Sequence, residues 1–354
     1  MKTRRYVRQI GLPEIGPEGQ DRLLNASVLC VGAGGLGSPA LLYLAAAGVG
    51  RIGIIDFDRV DETNLQRQVL FSTDMVGQPK AQEAAQRIRQ LNPDIQVEYY
   101  DAELDVESAS RLFPIYDVIL DGTDNFETKF LINDAAVKFG KPWIYGAIQG
   151  FDGQVSVFND RGGPCYRCFQ PEKPRAAVMN CAEAGVIGAI AGIIGVTQAL
   201  QAIQLITRHQ NFDPLVGKIW MLDARTMQTK KLSLRRNAYC LACSQDPEHI
   251  VLECAPFVCD VITEISASQL KGNNSCSLID VRENEEWLRG HIEGATLWPL
   301  SKLMAGDIPH IPKSAEIVLY CQKGLRSLQA ARVLKQNGFT SVMSLAGGYS
   351  CWTL

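Results

Sequence analysis

Two Cys-x-x-Cys pairs, Cys165/Cys168 and Cys240/Cys243, stand about seventy residues apart, and they constrain the fold more than any other feature. A CxxC turn brings two sulfurs to one metal, and a second turn completes a tetrahedral site that leaves no position open. If four thiolates share one ion, the chain between the pairs must leave a point in space and return to it. The rival reading of CxxC, a thioredoxin-like redox pair, accounts for one pair and not for two. A zinc ion is therefore expected at Cys165, Cys168, Cys240 and Cys243. Its role would be structural, tying a crossover loop to a strand late in the first domain.

The chain has 11 cysteines in 354 residues, and its start, MKTRRYVRQIGLPEIG, has basic residues with no apolar stretch behind them. That is not the pattern of a signal peptide. A cytoplasmic location is expected, where thiols serve metals and catalysis rather than disulfides. A net charge of −3 and no Lys/Arg-rich run give no reason to expect nucleic-acid binding. The segment 185–206 is apolar at first, but Gln198, Gln201 and Gln204 then recur at helical spacing. A spanning helix needs roughly 20 mainly apolar residues, so a buried core helix is expected and no membrane partner. Gly185, Gly188, Gly192 and Gly195 fall three or four apart, so close packing of another backbone is expected there, from a second copy of the chain.

Length allows two or three domains. The first half alternates short β-branched runs with helical stretches, the pattern of a mainly parallel sheet covered by helices. SVLCVGAGGLG is a buried strand entering a glycine turn, and a helix follows; RIGIIDFD, QVEYYDA, DVILD, PWIYGAI, GQVSVFN and KIWMLDA are further strands. Periodicity fades between Ser244 and Asp260. We therefore expect a domain over 1–244, a linker over 245–260 and a small α/β domain over 261–354.

Gly32-Ala33-Gly34-Gly35-Leu36-Gly37 matches GxGxxG between a strand and a helix, and Asp56 ends the next strand. Such glycines let a backbone turn tightly against a phosphate, helix N–H groups donate to it, and the acid bonds ribose hydroxyls. Alone, this suggests a dinucleotide dehydrogenase. Downstream, Asn64, Arg67 and Lys80 add an amide, a guanidinium and an ammonium, groups that neutralise a triphosphate and its leaving pyrophosphate. Asp121-Gly122-Thr123-Asp124-Asn125 ends another strand on the same sheet edge, with Asp124 a candidate magnesium ligand. Simpler readings stand beside these: Gly32 and Gly37 as packing glycines, Asp58 and Asp61 as solvated turn acids, Lys80 as a surface lysine at a helix start.

RQ near the start, GAGGLGS, DFD, NLQRQ, GQPK, DGTDN, PCYRC, NCAEAGV and the second CxxC occur in that order. Over residues 4–244 the chain thereby resembles the MoeB/ThiF adenylyltransferases, relatives of ubiquitin-activating enzymes. The resemblance implies adenylation, by ATP and Mg²⁺, of the C-terminal Gly-Gly carboxylate of a small ubiquitin-like sulfur carrier. It implies that Gly35, Asp56, Asn64, Arg67 and Lys80 bind ATP, with Asp124 and Asn125 at the magnesium end. It also implies a homodimer in which Arg8 reaches the partner's nucleotide site. Cys181 precedes the apolar helix, where a helix N-terminus favours the thiolate. In such enzymes it is a candidate to attack the acyl-adenylate or form an acyl disulfide; the alternative is an inert, packed thiol.

Cys321 ends an apolar strand and opens the loop Cys321-Gln322-Lys323-Gly324-Leu325-Arg326-Ser327. Backbone N–H groups wrapped around the sulfur, with Lys323 and Arg326 adding positive charge, favour a thiolate or persulfide anion. The C-x₄-R spacing suits one sulfur atom, whereas related phosphatases use C-x₅-R around a larger oxyanion. With DVRE from Asp280, GHIEGA from Gly290 and GGYSCW from Gly347, the segment 262–354 resembles rhodanese domains. His291 is expected as a structural residue, and Asp280 with Arg282 as an ion pair bracing the loop.

The expectation is thus an α/β protein: a Rossmann-like, mainly parallel sheet domain with a Cys₄ zinc site, then a small α/β rhodanese domain. Its function would be adenylation of a carrier protein, then sulfur transfer from a Cys321 persulfide to form a thiocarboxylate. The sulfur would come from a cysteine desulfurase or from thiosulfate. Two alternatives remain open at this stage, an NAD-dependent oxidoreductase with a fused sulfur-sensing domain and a non-catalytic scaffold for carrier proteins.

Overall fold

A computed structural model describes residues 3–171, 185–253, 262–271, 276–304 and 306–352. Cys181 lies outside the described residues, as do Cys254 and Cys259 of the expected linker. The chain separates into two compact units.

The first unit is built on strands β1 (Ser27–Val31), β2 (Arg51–Ile55), β3 (Gln96–Tyr100), β4 (Val118–Asp121), β5 (Trp143–Gln149), β6 (Asp152–Phe158), β7 (Lys218–Asp223) and β8 (Gln228–Ser233). They form one sheet in the order β3-β2-β1-β4-β5-β6-β7-β8. Pairs from β3 to β5 are parallel, and those from β5 to β8 are antiparallel. The parallel half explains the run of wholly buried β1, whose residues are covered on both faces. The antiparallel edge strand β8 was not expected: its QTKKLS sequence is exposed throughout and carries no apolar alternation to announce it.

Around this sheet lie helices α1 (Val7–Ile10), α2 (Gly16–Asn25), α3 (Gly37–Ala47), α4 (Lys80–Leu91), α5 (Val106–Leu112), α6 (Phe126–Lys138), α7 (Tyr166–Phe169) and α8 (Gly188–Thr207). By length and composition α8 is apolar enough to cross a membrane. It is a core helix here, with Ile194, Ala199, Ala202 and Leu205 packed among Leu36, Ala40, Leu41 and Val155. Two of its glycines pack against the chain itself, while Gly192 faces open space. A Cβ on Gly188 would fall 2.1 Å from the Gln66 carbonyl oxygen, and one on Gly195 would fall 2.3 Å from that of Leu36.

Chain order reverses beside β1, which lies between β2 and β4. In open α/β sheets the crevice at such a reversal, at the carboxyl ends of the strands, is where ligands bind. The glycine turn after β1 and the DGTDN turn after β4 flank this crevice, with Val31 and Asp121 in register. The two turns meet closely: a Cβ on Gly122 would fall 2.3 Å from the Gly32 carbonyl oxygen.

The part of the expected linker that is described packs on the first unit. Ile250 is buried with the paired cysteines, and Lys138 Nζ donates to its carbonyl at 2.6 Å.

The second unit is a parallel sheet in the order β11-β10-β12-β13-β9. Its strands are β9 (Thr263–Ile265), β10 (Ser277–Asp280), β11 (Thr296–Leu297), β12 (Glu316–Tyr320) and β13 (Ser341–Leu345). The helices are α9 (Ala267–Lys271), α10 (Asn284–Leu288), α11 (Leu300–Met304), α12 (Leu325–Gln336) and α13 (Tyr349–Trp352). Ile317 and Leu319 of central β12 pack with Ala330, Ala331 and Leu334 of α12, which fixes the loop between them. The helix starts at Leu325, two residues before the expected Ser327.

Candidate functional site

Three consecutive residues of the first glycine turn each meet a polar side chain. Ala33 N–H donates to Asp56 Oδ2 at 2.8 Å. Gln68 Nε2 lies 3.6 Å from where a Cβ on Gly34 would stand, and Arg67 Cγ and Cδ lie 3.5 Å from that point on Gly35. The glycines therefore do different jobs. Gly37 is required by packing, since a Cβ there would come 2.0 Å from the Gly32 carbonyl oxygen. At Gly34 and Gly35 the protein leaves room, and an added side chain would fill the crevice instead. That open cradle, with an acid on one side and cations on the other, fits a nucleotide phosphate chain.

Asp56 is buried, and burial raises its carboxyl above the usual range; the Ala33 and Asp58 amides and the Lys80 charge pull it back down. Lys80, the first residue of α4, is 4% exposed. Its Nζ sits 2.8 Å from Asp58 Oδ2, whose side chain is 52% exposed. Asp58 is thus the counter-ion of Lys80 rather than a bare turn acid, while Asp61 does cap a short turn, accepting from Thr63 N–H at 2.8 Å. Asn64 ends that turn, and Arg67 Nη1 donates to the Thr63 carbonyl at 3.1 Å.

Asp124 is exposed at the crevice edge, free of the buried bonds that hold its neighbours. Asn125 is less available than expected, because its Oδ1 caps α6 by accepting from Thr128 N–H at 2.8 Å. Beneath the turn is a cluster the sequence reading missed. Lys129 Nζ donates to Asp121 Oδ2 at 2.5 Å, to the Thr123 carbonyl at 3.0 Å and to the Gly146 carbonyl at 2.9 Å. Gln198 Nε2 adds a bond to the Asp121 carbonyl at 2.7 Å. The signal was available: a lysine directly ahead of the apolar run Phe130-Leu131-Ile132 in a helix following a buried strand. Arg8 is exposed on α1, and the preceding Tyr6 anchors that helix by accepting from Asn92 Nδ2 at 2.8 Å.

The four paired cysteines converge. Their sulfurs all lie within 4.8 Å of one another, with Cys165–Cys240 and Cys168–Cys243 both at 3.5 Å. A tetrahedron with Zn–S of about 2.3 Å has S–S edges of about 3.8 Å, so the donor set fits a tetrahedral thiophilic ion. Asn237 N–H donates to Cys168 Sγ at 3.3 Å, as the surroundings of a thiolate ligand should.

In the second unit, Cys321 is 1% exposed. Its sulfur accepts from Gly324 N–H at 3.2 Å, with Ser327 Oγ 3.7 Å away. Gly324 N–H and the Ser327 hydroxyl face the sulfur, and the Arg326 guanidinium also interacts with it. The loop is closed from behind: a Cβ on Gly348, whose φ is +63°, would fall 2.3 Å from the Cys321 carbonyl oxygen. Arg282 and Asp280 form the expected brace, with Nη2 and Oδ2 2.7 Å apart, and Arg282 Nη1 reaches Gln322 Oε1 of the loop at 3.0 Å. Arg326 is engaged by both carboxylate oxygens of Glu286 on α10, at 2.7 and 2.6 Å, and its guanidinium also interacts with Cys321; Lys323 is exposed. His291 stacks on Trp287 with ring centroids 3.7 Å apart, in keeping with a structural role.

Comparison with known proteins gives matches for both units. Residues 6–242 match the model of the ThiF family and residues 264–354 that of the rhodanese-like domain. The chain is 41% identical over 368 residues to a probable adenylyltransferase/sulfurtransferase MoeZ of Mycobacterium tuberculosis, covering 98% of this chain and 92% of that protein. It is 48% identical over 249 residues to a sulfur carrier protein adenylyltransferase of Thermus thermophilus, covering 69% and 91%. It is 37% identical over 382 residues to the adenylyltransferase and sulfurtransferase MOCS3 of Anopheles gambiae, covering 99% and 86%. Among solved structures, E. coli MccB with ATP aligns with a TM-score of 0.60 at 22% identity over 69% of this chain and 75% of that one, a likeness of fold.

Proposed function

The chain belongs to the ThiF family and carries a rhodanese-like domain, and from that premise we propose that it activates and thiolates a ubiquitin-like sulfur carrier. It is an adenylyltransferase and sulfurtransferase. Its substrate is a small sulfur-carrier protein ending in Gly-Gly. The observation that carries this reading is the pairing, in one chain, of an open glycine cradle beside Lys80 with a strand-end cysteine held by Gly324 N–H. Neither an oxidoreductase nor a scaffold needs both.

In the first step a carrier carboxylate oxygen attacks the α-phosphorus of ATP, the bond to the bridging oxygen breaks, and pyrophosphate leaves with its electron pair. Gly34 and Gly35 let the phosphates approach the backbone, Asp56 takes the ribose hydroxyls, and Asn64, Arg67 and Lys80 compensate the charge that develops on pyrophosphate. Magnesium, held by Asp124 with Asn125 alongside, would neutralise further phosphate charge. In the buried crevice the Lys80 ammonium trades its Asp58 partner for phosphate, which the exposure of Asp58 makes inexpensive because that carboxylate rehydrates.

In the second step the terminal sulfur of a Cys321 persulfide attacks the activated carbonyl and AMP leaves. The product is an acyl disulfide joining carrier and Cys321. Attack of a second thiol on Cys321 Sγ then releases the carrier thiocarboxylate and leaves a disulfide, which a cellular thiol reductant resets. Cys181 is the residue we assign to holding the carrier covalently, by attack on the acyl-adenylate or as an acyl disulfide. The persulfide is renewed by a cysteine desulfurase or by thiosulfate. Zinc in the Cys165/Cys168/Cys240/Cys243 cluster would be structural, closed to substrate. The enzyme works as a homodimer, Arg8 reaching the partner's crevice, in the cytoplasm, where these thiols stay reduced. We place the domains at 1–244 and 261–354, with residues 245–253 of the segment between them packed on the first.

ATP–pyrophosphate exchange tests the first step: exchange should appear only when a Gly-Gly-ended carrier is present, and its absence with every such carrier sinks the reading.

A further inference from the structure

Gln68 lies between two residues whose places are settled. Arg67 runs along Gly35, and Val69 is exposed. Gln68 itself is 4% exposed, and its side-chain amide makes no hydrogen bond to any described residue. Its Oε1 is fully shielded and unpartnered. Its Nε2 faces the glycine turn, 3.6 Å from the point a Gly34 Cβ would occupy, and the Gly122 carbonyl oxygen is 3.9 Å from the same point. A buried primary amide without partners is unfavourable, and folded proteins retain such groups where they serve a ligand or strain a site.

The buried charged groups of this crevice bond within the protein, and Gln198, whose Oε1 is also unpartnered, is held through its Nε2 by the Asp121 carbonyl. Asp56 takes two amides, Lys80 takes Asp58, and Lys129 takes three oxygens. The Gln68 amide is held by none of them. Because neither end is bonded, the protein imposes no choice of oxygen or nitrogen on the face toward Gly34, and the NH₂ group is free to donate there. A neighbouring apolar residue would fill the same volume without an unsatisfied polar atom.

From this we propose that Gln68 is a phosphate-binding residue of the nucleotide crevice, its NH₂ group donating to an ATP phosphate oxygen seated over Gly34. The proposal rests on the adenylyltransferase reading and adds a ligand contact to it. Gln68 complements Arg67: the guanidinium neutralises phosphate charge, while the neutral amide fixes where a phosphate oxygen sits relative to the turn. The NH₂ group has no protein acceptor in the free protein and gains one with nucleotide, while Oε1 stays shielded in both states, so the contact favours the bound state without adding net charge to the crevice.

The test is a thermal-melt series on the full chain with and without ATP and magnesium. The variant is Gln68→Met, which keeps the volume and removes the amide. We expect its melting temperature without nucleotide to match or exceed wild type, by about 2 °C if the full penalty is relieved. The increase produced by ATP should shrink, in line with binding weakened about tenfold or more. A purely structural glutamine would give the reverse, a lower melting temperature with an undiminished ATP increment, and that result overturns the proposal. Gln68→Glu supplies a second arm should the methionine variant fold poorly: its carboxylate should abolish the increment, and an increment equal to wild type would overturn the proposal. Wild-type protein that shows no ATP increment overturns the adenylyltransferase reading, and this inference with it.

Discussion

Arg326 and Glu286 form a bidentate ion pair, with both guanidinium terminal nitrogens within 2.7 Å of the two carboxylate oxygens. The arginine of the Cys321 loop thus ties the loop to α10 while its guanidinium also interacts with the Cys321 sulfur.

That pair makes a prediction about acid stability. The bond from Arg326 holds the Glu286 carboxyl below its usual range. A lowered folded value means a stabilising contribution that is complete above the unfolded value, about 4.3, and is lost as pH falls through the folded value. Both side chains are partly exposed, so the contribution is modest and screened by salt. Glu286→Gln should lower stability modestly at neutral pH and converge with wild type in acid, where Glu286 is protonated, so the acid limb of its stability–pH curve is flatter. Equal acid limbs for wild type and variant would show that the pair is energetically silent.

Lys80 is buried against a half-exposed acid, an arrangement suited to handing the cation to a phosphate. Lys80→Met fills the same space without charge. Carrier-dependent ATP–pyrophosphate exchange should fall by about 100-fold or more, while the far-ultraviolet circular dichroism spectrum stays that of wild type. Exchange within about tenfold of wild type would assign Lys80 to packing.

The Cys₄ cluster should hold one tightly bound zinc per chain, and stripping it should unfold the region it ties together. The cluster shares a small core with Val137, Ala242 and Ile250, too little apolar surface to close the loop alone. A strong chelator should lower the melting temperature by at least about 5 °C, with Cys168→Ser behaving alike. A chelated protein that melts like the untreated one would remove the metal from the fold.

Lys129 and Asp121 are both buried, at 6% and 0% side-chain exposure. Lys129→Met strands Asp121 as an uncompensated buried charge and should cost about 3–5 kcal/mol in urea unfolding. Adding Asp121→Asn should recover part of that loss, because the stranded charge is then gone. Additive losses would indicate two independent packing roles.

The legibility of these features in sequence follows their physics. The glycine turn, both CxxC pairs and the Cys321 loop are short local patterns, and each was readable as a turn or loop at the end of a strand or in a converging pair. The strands of the parallel half, such as SVLCV and RIGII, announced themselves as apolar runs. What was hidden depends on contacts between distant residues. Glu286 meets Arg326 across 40 positions, and Gly188 and Gly195 meet carbonyls of their own chain rather than of another copy. The edge strand β8 is polar on both faces and is specified by pairing with β7, not by its own composition. Gln68 was visible in NLQRQ, but only burial reveals that its amide has no partner.

The most direct measurement is the mass of a Gly-Gly-ended carrier after incubation with the full chain, ATP, magnesium and a sulfur donor. The carrier should gain one sulfur in exchange for one oxygen, as a C-terminal thiocarboxylate. Cys321→Ala should abolish that exchange of atoms while leaving carrier-dependent ATP–pyrophosphate exchange intact. Thiocarboxylate formed equally well by Cys321→Ala, or exchange indifferent to the Gly-Gly end, would contradict the two-step assignment.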